Sequence, residues 1–371
     1  MTVNLPEVNF LTTDANELAG DIIKQYEGAT GRTLAQSDPL YLIFLSFASV
    51  ITKQNVAIND AARQNLLYYA RGNVLDHKGV EWRTPRLEAT AATTTLRLYV
   101  SEPLTTSKII EKGTVATTKA ATVFFVSEKE YVLESGDEYV DIDMICAENG
   151  EIGNGFEVGE INTLVKHLPY ISRVENITAS NGGTERESDD AYRERIYLAP
   201  ETLSNAGSSG AYEYFAKKAS TLISDVYVYM PEPGRVNISV LLKDGELPTE
   251  EIIDAVYETC NAKEVRPLTD FLTVEAPEII TYDLSITYYI ETNSIDKNLI
   301  HNAVQKAIDK YIIWQSLKIG RDINPSRLIS DCIKAGAKRV EVVSPQFVKV
   351  NPGQVAKIGT KVVTFGGIED D

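Results

Sequence analysis

The chain has 371 residues, of which 43% are hydrophobic, and 36 Lys and Arg against 53 Asp and Glu leave a formal net charge of −17. That length exceeds what one hydrophobic core supports, so several domains are expected, and the apolar content excludes wholesale disorder. A uniformly acidic chain repels phosphates and anionic membrane faces, which argues against direct nucleic-acid binding. Three separated cysteines (Cys146, Cys260, Cys332) form no CxxC pair, which excludes zinc ribbons and thioredoxin-type sites. The N-terminal stretch MTVNLPEVNFLTTD lacks the basic and apolar regions of a signal peptide.

Residues 1–83 read as helical. Asp14 can cap a first helix through about Gln25, with Leu18, Ile22 and Tyr26 spaced by four, and Gly28 and Gly31 end it. Ser37-Asp38-Pro39 opens a second helix, expected to run to Arg71 with Gly72 as its C-cap. Its first half, Leu40–Ile51, is apolar around nearly the whole circumference. Such a helix needs cover on several sides, and the first helix alone cannot supply it. A neighbouring domain or another chain must do so. The apolar stretch is only about half of the ~20 residues that a membrane span needs, so no membrane insertion is expected.

The period then changes to two. Thr93–Val100, Thr122–Val126 and Tyr139–Cys146 read as strands, separated by turn signals at Glu102-Pro103, Lys112-Gly113, Ser135-Gly136 and Asn149-Gly150. Many short strands with regular turns suit a small sandwich or barrel. From about residue 186, helices and strands alternate. Helices are expected from Ser188-Asp189 to Leu198, over Ser209–Thr221, and from Thr249 to Ala262. Strands are expected at Ile223–Tyr229, Arg235–Leu242 and Phe271–Val274. The last part repeats that style, with strands at Ile279–Ile290, Arg339–Val343 and Lys361–Phe365 around helices starting at Asp296 and Asn324-Pro325. The fold class is therefore α+β multidomain. It has an N-terminal helical segment (1–83), a small β-rich domain (84–185) and two α+β sandwich domains (186–275 and 276–371). Each sandwich is expected to carry helices on one face of an antiparallel sheet.

Motifs for chemistry are scarce. No GxxxxGK[ST] loop occurs, and Gly153-Asn154-Gly155 with Gly159 reads as a hairpin turn, not a dinucleotide fingerprint. Gly207-Ser208-Ser209-Gly210 lacks the nucleophile-elbow spacing and reads as a helix entry. His77, His167 and His301 are scattered. Asp141 and Asp143 share a strand face that reads as solvated, since Ile142 and Met144 point the other way. The acid-rich run Asn181–Asp190 has its glycines, Gly182-Gly183, ahead of the acids and Arg186 among them, unlike a calcium loop. No catalytic residue, metal or cofactor is expected.

One group of motifs resembles a known family. Asn176 and Gly182-Gly183, followed by Glu185-Arg186-Glu187-Ser188-Asp189-Asp190-Ala191-Tyr192-Arg193-Glu194-Arg195-Ile196, are similar to the hallmark of the baseplate J-like family. Arg71–Gly79 with Arg83 and Arg86, Ile110–Val115 with Phe124-Phe125, Ala147–Asn154, Pro233–Val236 and Arg266–Asp270 resemble further family motifs in the same order. His77-Lys78 stands where a more apolar pair is expected. The resemblance implies a baseplate wedge protein of contractile phage tails, tailocins and related injection systems. Such wedges close into a six-fold ring around the tail tube and link hub and sheath to peripheral fibres. Expansion of the ring transmits the contraction trigger. Implied partners are other copies of the chain, a second wedge protein bundled through the N-terminal helices, and a sheath-proximal baseplate protein. The implied location is the particle baseplate, after synthesis in a bacterial cytoplasm. On this reading Leu42, Phe44, Leu45 and Ile51 contact the partner helix, and Glu185, Arg193 and Arg195 pair between domains or subunits. A tail fibre protein is the rival reading, and a tail-borne hydrolase a weaker one.

Overall fold

The computed structural model describes residues 5–203, 207–292 and 296–370; the first four residues of the stretch read above for a signal lie outside them. The chain packs as two compact units, Met1–Arg86 with Asp189–Tyr197, and Leu87–Ser188 with Leu198–Asp371.

The first unit is helical. α1 (Ala15–Thr30) starts where Asp14 accepts the N–H groups of Asn16 and Glu17. It runs past Gly28 and stops at Gly31, whose φ of 68° only glycine adopts without strain. α2 (Pro39–Arg63) starts at Asp38, whose side chain accepts from Leu40 N–H, with Pro39 in the first turn. It ends eight residues before the expected Arg71. The chain turns through residues 64–70, and Gly72 opens α3 (Gly72–Glu81) instead of closing α2. The physical reason is tertiary: the Gly72 N–H donates to Asp189 Oδ2 at 2.9 Å. The segment before α1 lies along α2, where Asn59 Oδ1 accepts from Phe10 and Leu11 N–H and its Nδ2 donates to the Leu11 carbonyl. Residues from much later complete the unit. α4 (Asp189–Leu198) packs Tyr192 and Ile196 against Ala70 and Leu75 in its small core.

The second unit begins with the β-rich part. Its strands are β1 (Thr93–Val100), β2 (Lys108–Ile110), β3 (Val115–Thr118), β4 (Phe124–Ser127), β5 (Tyr131–Leu133), β6 (Tyr139–Cys146), β7 (Ile161–Leu164) and β8 (Ile171–Asn176). Six of them form a sheet in the order β7-β3-β4-β6-β1-β8, and β2 pairs with β5 alongside. The outermost strands β7 and β8 come close, so the sheet curls into a nearly closed barrel. Leu96, Leu98, Phe125, Ile142 and Met144 fill it. Asp141 and Asp143 point outward, the first gripped by Arg97 at 2.7 Å and the second paired with Lys129 at 3.0 Å. The Gly153–Gly159 segment is not a hairpin. A short 3₁₀ turn at Glu151–Gly153 begins a loop between β6 and β7, which are not partners in the sheet.

Two sandwiches follow. The first contains α5 (Ser209–Ala219), β9 (Ile223–Glu232), β10 (Arg235–Leu242), α6 (Glu250–Asn261) and β11 (Phe271–Glu275). Pro233-Gly234 turns the β9–β10 hairpin, with Gly234 at φ 82° as a type II turn requires. The second contains β12 (Glu278–Glu291), α7 (Lys297–Ser316), α8 (Pro325–Lys334), β13 (Arg339–Ser344) and β14 (Gln354–Glu369). Neither sheet is purely antiparallel as expected. β10 pairs in parallel with β11, and β12 with β14, because the intervening elements carry the chain back to the starting end of the sheet. Each sheet buries one face under its helices, around Tyr212, Ile238 and Val256 in the first and Ile286, Tyr288 and Ile308 in the second. The two are joined by a shared patch of Leu241, Ile319 and Val355, beside which Asp225 Oδ2 accepts the Ile319 N–H at 2.8 Å.

Candidate assembly interface

A broad apolar surface lies on α2. Among its residues only Ala48 and Asn59 are buried. Leu42 is 57% exposed and Leu45 37%, and Ile43, Phe47, Val50, Val56 and Ile58 are open around them. Of the four expected contact residues, Leu42 and Leu45 are free, Ile51 is half-buried, and Phe44 is turned inward. The Phe44 ring packs on Tyr26 of α1 with centroids 5.1 Å apart. α1 thus covers one strip of α2 and leaves the rest. The helix is also longer than its unbroken apolar run. An 18-residue window has a mean hydropathy of 1.3 with 6% of it buried, so by length and composition α2 could cross a membrane.

The acid- and arginine-rich segment makes its contacts within the chain. Glu185 lies on the barrel, with its carboxylate over Gly150 and Oε1 accepting the Glu151 N–H at 3.2 Å. Arg193 faces into the helical unit. Its Nε–H donates to the Leu67 carbonyl at 3.0 Å, Nη2 to Ala70 at 2.8 Å, and Nη1 pairs with Asp190 at 2.6 Å. Arg195 is only 1% exposed, donates to the Pro85 carbonyl at 2.7 Å, and lies over the Tyr192 ring. An arginine buried this deeply is held by groups of its own chain.

Sequence reading missed the residues that complete this cluster. Arg86 is buried and bridges Asp76 at 2.6 Å and Asp189 at 2.7 Å, with its guanidinium over the same Tyr192 ring. These charges raise the Arg86 pKa despite the opposing effect of burial. The Gly72 N–H, ahead of Arg86, holds the Asp189 carboxyl below its ordinary range. The Tyr192 hydroxyl donates to the Thr84 carbonyl at 2.7 Å. The available signal was the spacing of Asp189, Tyr192, Arg193 and Ile196, which is one helix face at i, i+3, i+4 and i+7.

The barrel motifs are also architectural. Asn154 Nδ2 donates to the Gly183 carbonyl at 2.8 Å, and Gly183 N–H returns to Asn154 Oδ1 at 2.9 Å. A side chain at Gly183 would meet the Gly150 carbonyl at 2.3 Å, so the two loops touch backbone to backbone. Asn176 is fully buried and accepts from Gly159 and Ile161 N–H while donating to the Glu157 and Thr178 carbonyls. Burial pushes the Cys260 thiol up to about 12 and Cys332 up to about 11, which makes them poor nucleophiles. Among the described residues, no group of three or more His, Cys, Asp or Glu converges on a metal position.

Family comparisons match this architecture segment by segment. Residues 36–93 match the baseplate J-like N-terminal domain, 95–183 the baseplate J-like barrel domain, 204–276 the central domain and 282–364 the C-terminal domain. The chain belongs to the baseplate J-like family. Among curated relatives, baseplate protein J of Escherichia phage P2 is 36% identical over 160 residues, which is 43% of this chain. The matched region spans about half, 52%, of the P2 protein. Among solved structures, a chain of the six-fold symmetrised anti-feeding prophage baseplate aligns over 92% of this chain and 90% of its own, at 11% identity and a TM-score of 0.47. For this baseplate J-like protein, the motifs at Asn154, Asn176, Gly183 and Asp189–Ile196 are thus positions where the fold is fastened.

Proposed function

We propose that this protein is a structural component of the baseplate of a contractile tail or injection particle. Copies of it form a wedge ring around the tube, and the exposed face of α2 bundles with a helix of a second wedge protein. Family membership supports the baseplate assignment. The partner assignment rests on one observation: a long helix whose apolar side chains, Leu42 and Leu45 among them, remain in the open. An apolar stripe of that extent normally marks an interface. The small fastened parts suit a bracket that holds shape between other proteins, with divisions near residues 84, 186 and 276 serving as its functional parts. Its place of action on this reading is the particle baseplate, after synthesis in the host cytoplasm.

A second reading has α2 entering a bilayer, and its apolar 18-residue window favours it. The two separate experimentally. The chain is co-expressed with the adjacent reading frames and its mass read by light scattering after size exclusion. It is also mixed with neutral phosphatidylcholine vesicles and floated. A stoichiometric complex with a second protein, lost in Leu42→Asp, supports the wedge reading. Flotation of the parent chain, with no complex formed, would replace it with the membrane reading.

A further inference from the structure

We propose that α4 is a splint that sets the angle between α2 and α3, so that the hallmark segment Asp189–Ile196 orients the apolar helix. α2 and α3 are joined by a turn over residues 64–70, and Arg71, the residue preceding α3, provides no side-chain cap. The local core is small, consisting of Ala70, Leu75, Tyr192 and Ile196. Within the elbow, Arg71 pairs with Asp60 of α2 at 2.9 Å, but both side chains are exposed, and such a contact is a weak hold.

α4 supplies that hold from one face. Asp189 takes the Gly72 N–H at 2.9 Å, acting as the N-cap that α3 lacks within its own segment. Arg193 takes the carbonyls of Leu67 and Ala70, the last turn before α3. Tyr192 and Arg195 take the carbonyls of Thr84 and Pro85, at the exit from α3. Arg86 closes the clamp by bonding both Asp189 on α4 and Asp76 on α3. The fit is tight, since a methyl group on Gly79 of α3 would sit 1.7 Å from the Tyr192 hydroxyl oxygen. The corner and the exit of the elbow are thus each held by α4 side chains, while Arg71 ties the corner back to Asp60 of α2 at 2.9 Å.

The consequence for partner binding rests on the proposed role of α2, but the geometric claim does not. It is tested on the full chain without any partner, so it survives if the wedge reading fails. The three native cysteines are buried, so spin labels go to Lys53→Cys on α2 and Val80→Cys on α3, both exposed positions. Double electron–electron resonance then measures the distance distribution between them. The parent should give one narrow distribution, and Arg193→Met and Asp189→Asn should each broaden it or add a second distance. An unchanged distribution in both variants overturns the proposal. Hydrogen exchange on the same proteins covers the case of partial unfolding. Exchange at least about tenfold faster over residues 64–86, with residues 93–100 and 139–146 protected as before, supports the splint. Equal loss of protection in the barrel strands overturns it, because α4 would then serve the whole fold and not the elbow.

Discussion

Asp189 and Gly72 are 117 positions apart in the chain, yet the Asp189 carboxylate accepts the Gly72 N–H at 2.9 Å. The same carboxylate holds Arg86 at 2.7 Å, so one side chain caps a helix and anchors a buried guanidinium. An arginine this enclosed is costly to leave without its partner. In a double-mutant cycle, Asp189→Asn and Arg86→Gln should show a coupling of about 1–3 kcal/mol in urea unfolding. Additive effects would mean that the pair is incidental.

Gly79 admits no side chain. An added methyl would also lie 2.5 Å from the Thr84 carbonyl, which is backbone and cannot swing aside. Gly79→Ala should therefore destabilise the helical unit by about 1–3 kcal/mol, the usual cost of overpacking, despite alanine's better helix propensity. Tyr192→Phe combined with Gly79→Ala should recover part of that loss, because the nearest clash is with the Tyr192 hydroxyl. Chemical denaturation monitored by far-ultraviolet circular dichroism reads both.

Asn176 satisfies four backbone groups at once inside the barrel. Asn176→Leu keeps a comparable volume but strands those groups. At about 1–3 kcal/mol for each buried group left unpaired, the barrel should lose several kcal/mol or fail to fold. Asn176→Asp should be milder, because its carboxylate can still accept from Gly159 and Ile161. Hydrogen exchange over residues 156–178 would separate these cases.

Local chemistry made much of the fold legible. Asp14, Asp38, Asp296 and Asn324 each cap the helix they were expected to open, because a capping side chain acts within three residues of itself. Strands Thr93–Val100 and Tyr139–Cys146 follow their alternating pattern with the expected bounds, and Arg235–Leu242 has the expected bounds but is buried on both faces from Ile238 onward. Distant partners account for the rest. Gly72 reads as a helix end until Asp189 turns it into a helix start. The parallel pairing of β10 with β11 and of β12 with β14 leaves no local mark, since periodicity fixes the side-chain face and not the strand direction. The apolar run singled out Leu42 and Leu45, which are exposed, but not that Phe44 would be taken by Tyr26. The charges of Arg193 and Arg195 suggested pairing between domains or subunits; Arg193 pairs with the nearby Asp190, and both arginines also bond backbone carbonyls of the helical unit, which no local pattern marks.

Asp225 ties the two sandwiches through the Ile319 N–H, and burial pushes its carboxyl above the usual aspartate value of 3.8. A carboxyl raised in the folded state binds its proton more tightly there than in the unfolded chain. Stability then falls as pH rises from the unfolded value through the folded one. Asp225→Asn keeps an acceptor for Ile319 and removes the buried charge. It should therefore raise the melting temperature at pH 7 relative to the parent, with the difference shrinking towards pH 4. A variant less stable than the parent at pH 7 would show that Lys217 and Lys318, whose charges act in the opposite direction, dominate instead.

The exposed face of α2 carries the proposed role in assembly, and one measurement tests it most directly. The parent chain and the Leu42→Asp/Leu45→Asp variant are each co-expressed with the adjacent reading frames, and the mass of the main species is read by light scattering after size exclusion. The parent should form a stable complex that contains a second protein. The variant should run as a free chain whose barrel melts as before. If the variant assembles as the parent does, or the parent ignores every neighbour, α2 does not carry that interface.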